Sequence, residues 1–151
     1  MILPFKEQFV DKILRIEKNH TIRLDEKNRW KEGCLIHMAT GVRSKNYRQF
    51  NVNRRELSMC KRVQQIEIIR CDDLPRSQYD GSEYIYDYYS DQLKETFQLV
   101  FKIKIDSRYL NLAEITNLSY YDGFNCPEDL FEWFNLRSFK GKLIHWTEFK
   151  Y

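Results

Sequence analysis

Two segments, residues 61–71 (KRVQQIEIIRC) and 97–105 (FQLVFKIKI), constrain this chain more than any other feature. Both are rich in β-branched and aromatic residues, and Phe101, Ile103 and Ile105 alternate with lysines. Side chains on a strand point to opposite faces in turn, so this pattern commits the middle of the chain to a sheet with one buried face. At 151 residues the chain has the length for one domain with a real core and is short for two. Residues 1–151 are therefore read as a single domain.

The flanking segments add to this sheet. Phe9, Ile13, Leu14 and Ile16 recur at helical spacing after Pro4, which predicts an amphipathic helix over residues 5–16. A strand is expected at about 20–24, another over 34–40 between Gly33 and Gly41, and a last one over 142–149. Cys126 or Asn125 can cap a helix that starts at Pro127, with Glu128 and Asp129 in its first turn and Leu130, Phe131, Trp133 and Phe134 on its buried face. Residues 72–92 are acidic and tyrosine-rich, with Pro75 and Gly81, and read as an insertion that folds as a hairpin against the body. The resulting order predicts an α+β fold: a small mixed sheet or barrel with helices at its ends.

The charge is unevenly spread. Residues 1–71 carry 16 Lys+Arg against 8 Asp+Glu, while residues 72–91 carry 1 against 6. A basic half suits either a phosphate-bearing partner or a solvated surface. Cys34, Cys60, Cys71 and Cys126 form no Cys-x-x-Cys pair, and His20, His37 and His145 are scattered, so no metal site or cofactor is expected and the thiols are read as free and mostly buried. No stretch approaches the roughly 18 apolar residues of a membrane span and no signal-peptide pattern opens the chain, which points to a cytoplasmic protein with no membrane partner.

The stretch Lys18-Asn19-His20-Thr21-Ile22-Arg23 carries the densest chemistry. On a strand, Thr21 and Arg23 share a face with Lys18 at its entrance, while His20 points the other way. A hydroxyl, a guanidinium and an ammonium together suit an anion, and a desolvated lysine beside a threonine suits covalent chemistry. A guarded edge strand explains the same residues. The basic loop with Arg43, Lys45, Tyr47 and Arg48 is either a solvated loop or a phosphate grip with a stacking ring. Trp30 and Trp146 read as packing, His145 as a satisfied structural histidine, and Asp122-Gly123 as a turn.

The order FVDKILRIEKNHTIR, then WKEG and a strand, then LAEITNLSYYDGFNCPEDLFEWF and a terminal GKLIHWTEF, resembles the ASCH domain family. That family's signature, a glycine, one residue, a lysine, four residues and an arginine, falls on Ile16, Lys18 and Arg23. The resemblance implies a PUA-like small mixed β-barrel with flanking helices that binds RNA or a nucleotide- or nucleoside-like ligand in a cleft beside the barrel. A branch of the family hydrolyses N4-acetylcytidine with a lysine, a threonine three positions later and a distant carboxylate, which by position are Lys18, Thr21 and Asp122. Arg23, Arg43, Lys45, Tyr47 and Arg48 would then contact the ligand. The chain departs from the pattern twice, with Ile16 at the glycine and Asp122 where a glutamate is usual. A third reading makes the tyrosine-rich segment, residues 76–90, a surface for a protein partner.

Overall fold

The computed structural model describes residues 1–151. Nine strands form two sheets. The smaller sheet joins β1 (Ile2–Pro4), β3 (His37–Thr40) and β4 (Arg48–Gln49), with β1 parallel to β3. The larger runs in the order β2 (His20–Arg23), β9 (Phe139–His145), β5 (Arg62–Arg70), β7 (Glu95–Ile105) and β6 (Tyr84–Ser90), with β8 (Arg108–Tyr109) also on β7. All of its pairings are antiparallel, and the sheet curls as a half-barrel. The fold is thus sheet-dominated and mixed, with three short α-helices: α1 (Val10–Leu14), α2 (Leu112–Tyr121) and α3 (Pro127–Trp133).

The alternating segments are the spine. Ile66 and Ile68 of β5 and Leu99, Phe101, Ile103 and Ile105 of β7 are all buried, and α3 lays Phe131 flat on Phe101 with ring centroids 4.1 Å apart. Burial of such side chains, at about 25 cal/mol per Å² of apolar surface, holds helix to sheet. Leu143 and Ile144 of β9 and Trp146 belong to the same buried cluster.

Several expected elements differ in extent. The first helix is a 3₁₀ turn (Glu7–Phe9) followed by α1, because the chain turns back at Ile16. The strand expected from residue 34 begins at His37, with Leu35 bridged to Met59. The last strand ends at His145 rather than continuing to 149. Residues 72–92 are more than an insertion: β6 pairs with β7 over seven positions and extends the main sheet. The helix α2 was not expected, and its start is a capping box in which the Asn111 side chain accepts from the Glu114 N–H and the Glu114 side chain accepts from the Asn111 N–H. All four cysteines are free, with Cys60 buried and the other three half-buried. No helix is long and apolar enough to cross a membrane.

Candidate functional site

Two helices end in the same way, and those two ends bring the site together. At the end of α1 the Ile16 N–H bonds the Ile13 carbonyl and the Glu17 N–H bonds the Lys12 carbonyl. At the end of α2 the Gly123 N–H bonds the Tyr120 carbonyl and the Phe124 N–H bonds the Ser119 carbonyl. These are Schellman caps, which need a left-handed residue after the last turn. Gly123 fills that place with φ 92° and Ile16 with φ 61°. Ile16 stands where the resemblance expects glycine, and its backbone takes the conformation that glycine adopts most easily. Lys12 stitches the two caps together, its Nζ 2.7 Å from the Gly123 carbonyl oxygen.

The first cap delivers Lys18 and the second delivers Asp122. Lys18 Nζ donates to Asp122 Oδ1 at 2.9 Å and also to the Asp122 backbone carbonyl. Lys18 is 1% exposed and Asp122 5%. Burial pulls the Lys18 ammonium down to about 8, with the Asp122 carboxylate opposing that fall. Burial on its own would raise the Asp122 carboxyl, but Lys18 and His20 outweigh it and hold it below the usual carboxylate range. Gly123 has no room for a side chain, since a Cβ there would lie 2.9 Å from Phe9 Cδ1 and 3.1 Å from Lys18 Cδ.

The pair lies in the wall of a cavity of about 240 Å³. Thr21 and Arg23 line it from β2, Pro4, Phe5, Lys6 and Phe9 from the first residues, and Phe124 and Trp133 from the α2–α3 region. The Arg23 guanidinium donates to the Pro4 carbonyl and lies 5.3 Å from the centre of the Phe5 ring. Phe9, Phe124 and Trp133 form a ring cluster with centroids 5.5 to 5.7 Å apart. The volume is below the roughly 300–1,000 Å³ of sites for drug-sized ligands, so the cavity suits one small planar group. Lys6 Nζ lies over the face of the Trp133 ring, 4.3 Å from its centre.

Of the residues singled out in the sequence, Lys18, Thr21, Arg23 and Asp122 come together here. Thr21 makes no hydrogen bond with Lys18, whose donors face Asp122. Arg43, Lys45, Tyr47 and Arg48 are not in the cavity lining, and Arg48 pairs instead with Glu7 at 2.8 Å. Arg43, Lys45 and Tyr47 lie in the turn before β4, and Arg48 opens that strand.

His20 is the residue that sequence reasoning passed over. It does face away from Thr21, yet that side is also buried, and its Nδ1 lies 3.3 Å from Asp122 Oδ1 while its Nε2 lies 3.0 Å from the Tyr151 hydroxyl. With Asp122 a carboxylate, His20 Nδ1–H donates to it and Nε2 accepts from Tyr151. Alternation along residues 18–23 was the available signal, because Lys18 and His20 fall on one side together. Burial lowers the His20 imidazole below its ordinary value and so keeps it neutral. His145 sits against His20 with ring centroids 5.2 Å apart, and neither of its nitrogens has a partner, so it is a structural histidine that is not satisfied. Burial drives its imidazole down to about 3.

The arrangement offers an amine that can lose its proton near neutral pH, a hydroxyl facing a cavity, a fixed carboxylate and aromatic walls. No group of histidine, cysteine and carboxylate side chains is placed to hold a metal ion. No protein-family model, curated protein or solved structure matches the chain.

Proposed function

We propose that this chain is an ASCH-type module of PUA-like fold whose cavity takes the base of a nucleoside-like ligand or of an RNA strand. The observation that carries the reading is the buried Lys18–Asp122 pair in the wall of an aromatic-lined cavity with Thr21 and Arg23. A planar base meets π-faces on Phe9, Phe124 and Trp133, and its carbonyl and amino edges meet Lys18, Arg23, Thr21 and Asp122 as donors and acceptors. The left-handed backbone at Ile16, where the signature has glycine, supports the resemblance further. The test is a titration with cytidine and with a short single-stranded RNA, followed by backbone amide NMR. Shifts clustered on residues 5–9, 18–23 and 122–133 support the reading, and their absence with both ligands removes it.

A second reading, an amidohydrolase acting on N4-acylated cytidine, is favoured by the lowered Lys18 pKa beside a hydroxyl that has no partner in the chain. The neutral Lys18 amine takes the Thr21 proton as Oγ attacks the acyl carbonyl, and Arg23 donates to the oxyanion. Collapse breaks the C–N4 bond, the Lys18 proton passes by way of Asp122 to the leaving amine, and water then hydrolyses the acyl-threonine. Incubation with N4-acetylcytidine should release cytidine and acetate, with Thr21→Ala inactive. Cytidine binding without turnover leaves the binding reading standing and ends this one.

A further inference from the structure

The edge of the main sheet carries a second feature, independent of the cavity. β6 is the end strand, YIYDYYS, and its register with β7 runs unbroken from Tyr84↔Phe101 to Ser90↔Glu95. Exposed edges are ordinarily blunted by proline, lysine, a bulge or a very short strand. β6 has none of these over seven residues. In contrast, the strand at the other end, β2, is four residues long.

The direction of the free backbone groups follows from β7. Val100 gives its N–H to Asp72 Oδ1 at 2.8 Å and its carbonyl to the Cys71 N–H at 2.9 Å, both on the β5 side. Antiparallel pairing alternates, so Leu99 and Phe101 serve β6 through Tyr86 and Tyr84. Ile85, Asp87 and Tyr89 therefore turn their N–H and carbonyl groups outward, and no hydrogen bond from outside the hairpin reaches them. Ile85 is 42% exposed and Tyr89 53%. On the opposite face Tyr84 and Tyr86 are pinned by hydroxyl bonds to Glu128 and Glu132 of α3, which fixes the strand in place.

The surroundings select the occupant. Of the six acidic residues in 72–91, Asp72, Asp80, Glu83 and Asp91 pair with Arg70, Lys102 and Lys94, while Asp73 and Asp87 have no cationic partner, and Asp87 is exposed on the strand between Ile85 and Tyr89. A second copy pairing antiparallel through the same edge about its middle residue would set Asp87 opposite its own copy, and like charges across a strand pair are unfavourable. We infer that the β6 edge is a docking site for an extended, basic peptide segment of another protein, added as a further strand with Lys or Arg at alternate positions. The backbone of Ile85, Asp87 and Tyr89 supplies the ladder, and Asp87 with the tyrosine faces supplies charge and cation–π recognition.

The test uses the full chain and three labelled heptapeptides: Lys-Val-Lys-Val-Arg-Val-Lys, the same charges with proline at each valine, and a glutamate version. Fluorescence anisotropy should show the first binding at least tenfold more tightly than the second, with no binding of the third. The first peptide should also slow amide exchange at Ile85, Asp87 and Tyr89. Asp87→Lys should weaken binding at least tenfold while leaving the melting temperature unchanged, and Asp87→Asn should have a smaller effect in the same direction. Equal binding of the two basic peptides, unprotected amides, or protection that arises from self-association in sedimentation without peptide would each overturn the inference.

Discussion

Lys18 and Asp122 stand 104 residues apart in the chain, yet their side chains meet at 2.9 Å with 2% and 7% of their surface exposed. Removing either partner strands the other as an unpaired charge out of water, which costs about 3–5 kcal/mol. Lys18→Met and Asp122→Leu should each lower stability by that amount in urea denaturation, whereas the double variant should recover most of the loss. A double variant no better than the singles would show that the pair is not coupled.

Ile16 is β-branched, 46% exposed and left-handed at φ 61°. A left-handed conformation costs a residue with a Cβ roughly 1–2 kcal/mol, partly offset in the substitution by the greater freedom that glycine has when unfolded. Ile16→Gly should therefore raise the urea midpoint, with a net gain of about 0.5–1 kcal/mol, and leave the cavity intact.

Gly123→Ala should do the reverse. Its Cβ would press on Phe9 and Lys18 while occupying φ 92°, combining overpacking with backbone strain at a cost of about 1–3 kcal/mol. Since Lys18 is one of the two groups displaced, ligand binding should weaken beyond what the lost stability explains, measured by titration well below the melting temperature.

His20 and His145 are both buried as neutral imidazoles, and His145 holds its proton only near pH 3. The unfolded chain binds those protons at about 6.5, so between that pH and the folded values the unfolded state carries more protons. Stability should accordingly fall as pH drops from 6.5, by up to about 1.4 kcal/mol per pH unit for each histidine. His145→Phe should reduce this slope by one histidine's share, as followed by chemical denaturation at successive pH values.

Under the amidohydrolase reading Lys18 must be neutral to accept the Thr21 proton, and its folded value is about 8. The rate should then climb with pH and level off above about 8. Lys18→Arg, which cannot lose its proton, should be inactive across the whole range.

Alternation exposed β5 and β7 to direct reading, since Ile66, Ile68, Ile103 and Ile105 mark their buried faces without reference to any partner. The first strand left no such trace: Ile2–Pro4 is three residues held by parallel pairing to His37–Ala39, a contact with no local signal. α2 carried a signal that went unused, the Asn111-x-x-Glu114 box ahead of Ile115 and Leu118, masked by β-branched and aromatic residues with weak helix preference. The site was half legible. Lys18, Thr21 and Arg23 followed from spacing and resemblance, whereas Phe5, Phe9 and Trp133 became cavity walls only through packing between distant segments. The basic loop failed as a cleft residue set because chain proximity to a strand does not fix the face on which a turn emerges.

The cavity walls are drawn from residues 4–23 and 122–133, with β5 to β8 of the main sheet between them in the chain and β9, which joins β2 to β5, after them. During synthesis the amino-terminal half of the pocket exists long before its complement has been translated. Occupancy is thereby confined to chains that have completed the α2–α3 turn, and a bound molecule would clasp two walls whose shared sheet is closed only by the strand that follows them, β9.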